Sequence, residues 1–290
     1  MQYKGQNIIS KRFFSVFVIL VLTPIAIHAA AVLTEAEAGV LAETTDFRFS
    51  LKTAASCAEA VEKIDAYAAR IAENTANAAV SDEIKLVLEN ILVWEKYNYL
   101  YESDIKHPDL EPLIKTQYEK VKAWFKTHSG EPHSTWLYYT AGDILSCCMQ
   151  FLPLTTAMSE GLTVKKYYDT ALEQDPYMVF TLINIAQWYF YAPAISGGGK
   201  KKAHTALETA RAVAKTVPEQ FYATLLLSQV LFEEGEKRES AELLADADEL
   251  YPGTYEARSF SALNGAGYSY FYYTLNREKV DKKLGAALKR

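Results

Sequence analysis

Apolar residues recur at three- and four-residue steps along most of the chain. Ala54, Ala58, Val61, Ile64, Ala68 and Ile71 form one series, and Ile84, Val87, Leu88, Ile91, Trp94 and Leu100 a second. Beyond a His107-Pro108 break, Leu110, Leu113, Ile114, Tyr118, Val121 and Phe125 form a third. That spacing gathers each set on one face of a helix. The intervals 74–82 and 103–109 hold breakers and polar residues, and Ser81 and Asp104 are expected as helix caps. Strict apolar–polar alternation, the mark of a half-buried strand, hardly occurs. The pattern predicts an all-α protein.

The second half carries a repeat. Tyr168-x-x-Ala171-Leu172-x-x-x-Pro176 and Leu244-x-x-Ala247-x-x-x-x-Pro252 place a large residue, a small residue and a helix-ending proline at the same offsets. Gly235 and Ser240 lie upstream of the second copy, where a tight turn should join two helices. Thr224, Leu227, Ser228 and Leu231 mark the first helix of that unit. Leu182, Ile185, Ala186 and Tyr189 mark another first helix, and Ala203, Leu207 and Ala210 its partner. Pro218 to Pro252 is 34 residues, whereas Pro176 to Pro218 is 42, so the middle unit carries an insertion.

This spacing resembles the tetratricopeptide repeat (TPR) family, whose unit is a helix–turn–helix of about 34 residues. The resemblance covers 136–252. It implies a right-handed α-solenoid of TPR-like helix pairs, since one pair cannot cover its own apolar face and must be stacked on neighbours. The first unit has Tyr138, Ala141, Gly142 and Leu145 in place, with 151–161 lengthening its connection. The expected organisation is a secretory signal peptide over 1–29, a less regular helical N-terminal region over 30–134, repeats over 135–254, and a divergent helix pair over 255–290. In that last pair, Ala266-Gly267 and Tyr270 take first-helix positions.

The leader expectation rests on Lys4, Lys11 and Arg12, an apolar stretch over 13–22 broken only by Ser15, and the small residues Ala29-Ala30-Ala31. An apolar run of ten is too short to span a bilayer, which takes about 20 residues. No cysteine lies near the junction for lipid attachment. A periplasmic or otherwise extracytoplasmic location and no membrane span in the mature chain are therefore expected. Cleavage would remove three basic and no acidic residues, moving the formal charge from −6 to −9. Such a surface attracts neither phosphate backbones nor anionic lipid at long range, so nucleic acid is not an expected partner. An apolar fraction of 50% excludes a disordered chain.

Chemistry-bearing patterns are sparse. Cys57, Cys147 and Cys148 are too few for a disulfide framework; pairing of Cys57 with either neighbour, or burial of all three as small apolar residues, both remain open. The run from Pro193 through Gly197, Gly198, Gly199 and Lys200 invites a phosphate cradle. A nucleotide loop would need Gly at 194 and Ser or Thr at 201, where Ala194 and Lys201 stand. An elaborated inter-helix turn is expected instead. His128, Glu131 and His133 lack metal-ligand spacing and read as a surface turn. With no nucleophile motif either, no enzyme activity, cofactor or metal is expected.

Aromatics are abundant, with 20 Tyr, 13 Phe and 4 Trp. Trp188, Tyr189, Phe190 and Tyr191 run consecutively up to the glycine loop, and consecutive positions face all round a helix. Trp188, Tyr189, Tyr191, Gly197, Gly198, Gly199 and Lys200 are therefore the candidate binding residues. The leading expectation is an exported, non-enzymatic scaffold or adaptor gripping another envelope protein through a concave helical surface. The glycine-rich insertion in an exported TPR-like chain also resembles the TatT-type subunit that accompanies some TRAP transporters. That resemblance implies a homo-oligomer handling a small ligand together with a periplasmic binding protein.

Overall fold

A computed structural model describes residues 30–76 and 80–288. The expected leader over 1–29 lies outside the described residues, apart from the junction alanines Ala30 and Ala31. Those described residues form thirteen α-helices joined by short turns, and no strand occurs among them. No helix among them is long and apolar enough to cross a membrane.

The first half comprises α1 (Glu35–Ser50), α2 (Cys57–Ala76), α3 (Asp82–Ser103) and α4 (Leu110–Thr127). Polar side chains fix where these helices begin. Thr34 and Glu37 form a reciprocal capping box on α1. The other oxygen of Glu37 accepts from the Ser81 amide at 3.0 Å and its hydroxyl at 2.6 Å, tying the start of α1 to the start of α3. Burial opposes ionisation of Glu37, but the donors from Ser81 and Thr34 outweigh it and hold the pKa down at about 2. Ser81 caps α3 as expected. Asp104 caps the C-terminal end of α3, its amide donating to the Leu100 carbonyl at 2.9 Å and its carboxylate accepting from the Lys106 amide at 2.8 Å.

The second half comprises α5 (Thr135–Cys148), α6 (Leu154–Gln174), α7 (Val179–Tyr191), α8 (Lys200–Val213), α9 (Val217–Glu234) and α10 (Lys237–Leu250). They pack as consecutive pairs, α5 on α6, α7 on α8 and α9 on α10. Small residues at the expected repeat positions, Ala171, Ala203, Ala210 and Ala247, are fully buried and let the helices approach. Gly142 does the same more severely, since a Cβ there would lie 2.4 Å from the Tyr168 ring. Gly235, in a left-handed conformation at φ +94°, makes the expected tight turn between α9 and α10.

The C-terminal segment departs from the expected helix pair. Three short helices, α11 (Tyr255–Gly265), α12 (Tyr270–Leu275) and α13 (Arg277–Leu284), replace it. Ala266-Gly267 is a turn rather than a first-helix position, with Gly267 at φ +87°, and Tyr270 opens α12 behind the Ser269 cap. These helices fold back towards the start of the chain. Phe49, at the end of α1, stacks on Tyr251 at 4.2 Å and meets Phe221 of α9 edge-on at 5.5 Å. Arg277 donates to the carbonyl of Tyr101 at 2.6 Å and to that of Glu102, at the last turn of α3. Early and late helices of the chain thus meet.

Candidate functional site: two adjoining interior cavities

Where the ends meet, they enclose a cavity of about 260 Å³ walled by α1, α3, α5, α7, α9 and the C-terminal helices. Three cations reach it, each laid over aromatic rings. Arg48 lies 5.0 Å from the Trp94 ring and 5.9 Å from Phe180. Lys52 lies 5.3 Å from Tyr99 and 5.7 Å from Tyr222, and Arg277 lies 5.1 Å from Tyr101. Contacts of this kind add attraction where water is scarce.

Their charges are answered by carboxylates. Arg48 Nε donates to Glu95 Oε1 at 2.7 Å, while Lys52 Nζ lies 3.6 Å from Glu95 Oε2 and 3.2 Å from Glu256. Glu95 is completely buried, on the same helix as Trp94. Burial opposes charge on all three partners, but mutual attraction exceeds it. The pKa of Glu95 is lowered and those of Arg48 and Lys52 are raised, so the cluster stays ionised. These ions spend their attraction largely on one another, which leaves the aromatic faces to dominate the cavity wall.

A second cavity, of about 520 Å³, lies between α3, α5, α6 and α7. Trp94, Asn98, Asn184, Gln187 and Tyr270 line both, so the two cavities adjoin across a shared polar–aromatic neck. The amides at that neck are held in place. Asp143, buried in α5, accepts from Asn184 Nδ2 at 2.6 Å and from the Tyr168 hydroxyl at 2.8 Å. Asn184 Oδ1 in turn accepts from Gln187 Nε2 at 3.2 Å. Burial of Asp143 outweighs the donors around it and pushes its pKa up to about 7. Because its carboxylate ties α5 to α6 and α7, it orients the neck amides.

The candidate residues from the sequence divide around this geometry. Trp188 and Tyr191 both line the second cavity. Trp188 Nε1 donates to the Gly161 carbonyl at 2.8 Å, and the Tyr191 hydroxyl meets Thr274 at 2.5 Å. Tyr189 packs instead into the apolar core, with Lys165 and Lys202 over its ring. The three glycines make the expected turn: Gly197 and Gly199 have positive φ, and a Cβ on Gly198 would lie 1.9 Å from the Ala192 carbonyl oxygen. Their amides donate to the carbonyls of Ala194, Pro193 and Tyr189, so they are spent within the loop rather than offered to an anion. Lys200 pairs with Glu233 at 2.8 Å.

Two other readings of the sequence resolve here. His133 is not on a surface turn: it is buried, with Nδ1 2.8 Å from Glu83. The three cysteines are free thiols. Cys57 donates to Glu102 at 3.2 Å, Cys148 is buried, and Cys147 faces the second cavity.

Sequence reasoning missed Arg48, Lys52, Glu95, Asp143 and Arg277. One of them had a visible signal, since Asp143 is the sole charged residue in the fourteen of α5. Comparisons of the chain with protein-family models, curated proteins and solved structures return no match.

Proposed function

We propose that this protein binds a small molecule with an apolar body and a polar edge inside the paired cavities. In this reading its helix pairs form a TPR-like, right-handed solenoid whose concave side is closed off by the chain's own ends. The observation that carries the reading is the meeting of Arg48 and Lys52 with Glu256 and Arg277 around an aromatic-walled space. Both volumes are of the order of ordinary ligand sites, which span roughly 300–1,000 Å³. The walls also have the composition such sites favour: aromatic faces and a few oriented amides. An adaptor gripping an extended segment would want an open concave run, and in this reading α11 to α13 would occupy part of it. An extracytoplasmic, TatT-like role with a binding-protein partner and a homo-oligomeric assembly belongs to the same proposal.

The neck supplies the test. Asn98→Trp puts a bulky ring where both cavities meet. A small-molecule fraction from the producing cells raises the Tm of the wild-type protein, because a ligand that binds only the folded state stabilises it. The same fraction leaves the Tm of the Asn98→Trp protein unchanged. Equal shifts in both proteins, or none in either, would overturn the proposal.

A further inference from the structure

The two places where the chain departs from a plain 34-residue spacing come together in space. Residues 154–161, expected in the connection between α5 and α6, instead form the first two turns of α6 and lengthen that helix, and the glycine-containing insertion separates α7 from α8. Met158, Gly161 and Leu162 from one side and Ala192, Pro193 and Ser196 from the other line the second cavity. Trp188 bonding to the Gly161 carbonyl holds the two sides together.

This rim is apolar and exposed. Nine large apolar side chains stand exposed among the described residues, and five lie in or directly beside these two segments: Leu154 (77%), Met158 (70%), Leu162 (53%), Tyr191 (40%) and Ile195 (97%). Leu154, Met158 and Leu162 follow at four-residue steps, so they share one face of α6, and Lys166 continues that face. A contiguous apolar surface of this kind marks an interaction site rather than chance exposure.

The charge around the rim identifies the occupant. Residues 154–166 and 191–202 hold five lysines (Lys165, Lys166, Lys200, Lys201 and Lys202) and one acid, Glu160, so the rim is locally basic although the whole chain, at formal charge −6, offers anionic lipid no long-range attraction. Lys165 pairs with Asp169 at 2.5 Å and Lys200 with Glu233, whereas Lys166, Lys201 and Lys202 are exposed, Lys202 donating to the Gly197 carbonyl at 2.8 Å. Apolar tips flanked by lysines match the boundary of a bilayer, where apolar side chains enter the acyl region and ammonium groups meet phosphate.

We infer that the Leu154–Met158–Leu162 face and the Ile195 tip dock this protein onto an anionic phospholipid bilayer, with the mouth of the second cavity turned towards the lipid. Docking does not require an occupied cavity, so it stands apart from the small-molecule reading.

The test uses the full chain with vesicles of phosphatidylcholine and phosphatidylglycerol that carry a phospholipid with a photoreactive acyl chain. Lipid adducts are mapped by mass spectrometry after illumination. Adducts concentrate on peptides covering 154–166 and 191–202. Leu162→Ser and Ile195→Ser, both at exposed positions, lower those adducts several-fold. Lys201→Glu or vesicles of phosphatidylcholine alone lower them at least fivefold or so, in keeping with the contribution of one basic residue near an anionic surface. Adducts confined to residues 1–29, or spread evenly over the surface, would overturn the inference. Protein–protein cross-links between these segments in place of lipid adducts would do the same, by showing a second copy on the patch.

Discussion

The two adjoining cavities are walled in different ways. Around the smaller, full charges arranged as a compensated cluster, Arg48, Lys52, Glu95 and Glu256, stand beside the amides shared at the neck. Around the larger, polarity rests on one buried carboxyl, Asp143, and on the amides it orients, and the remaining wall is apolar up to the exposed rim of α6. The first is a seam between parts of the chain far apart in sequence, held by ions. The second lies between successive helices, held by close packing and hydrogen bonds. A helical array therefore makes interior space in two ways: by bringing its ends together, and by extending a helix and a turn between neighbours.

The largest expected effect falls on the seam. Glu95→Gln leaves Arg48 and Lys52 buried without their shared partner, which costs about 3–5 kcal/mol in a denaturant titration. A loss below about 1 kcal/mol would mean that the cluster does not hold the ends together.

Next comes the packed wall. Gly142→Ala drives a methyl group into the Tyr168 ring, which cannot swing away because its hydroxyl is bonded to Asp143. Overpacking of this kind costs about 1–3 kcal/mol. An unchanged denaturation midpoint would show that α5 and α6 have room to spare.

Asp143 separates the two walls by their response to pH. Its folded pKa, pushed up to about 7, lies above the value near 4 of an unfolded aspartate. The native state then binds the proton more tightly, so the stability tied to Asp143 is complete below about pH 4 and is lost as pH rises through about 7. Between pH 5 and 8 the protein should lose about 2–3 kcal/mol from this group. Asp143→Asn removes that slope, and the ion cluster, whose carboxylate pKa is lowered, contributes none of it in this window. A slope that persists in the Asp143→Asn protein would assign it to another group.

The smallest effect belongs to the exposed end of the seam. Lys106 and Glu278 pair at 2.8 Å in full contact with water, so Lys106→Ala should leave the thermal midpoint unchanged.

Much of this architecture was legible in the sequence. Helical periodicity gave the all-α class, and the small-residue positions Ala171, Ala203, Ala210 and Ala247 marked where helices approach closely. Those signals are local, arising within one helix or one helix pair. The seam is not local: Arg277 reaches carbonyls 176 and 175 residues earlier, and no spacing rule announces such a contact. Arg48 and Lys52, at and just beyond the end of α1, carry no spacing signal for the same reason. Of the consecutive aromatics, Trp188 and Tyr191 line the second cavity and Tyr189 packs against the core, because consecutive helical residues point about 100° apart and the sequence does not say which arc faces the cavity. The glycines were legible as a turn, and the close approach of Gly198 to Ala192 is the physical demand behind one of them.

The most direct test of the small-molecule account is native mass spectrometry of the protein purified gently from the cells that produce it. The account predicts each protein chain with a stoichiometric added mass of small-molecule size, released on denaturation and absent from the Asn98→Trp protein. A bare chain, or one that retains only a polypeptide partner, would contradict it.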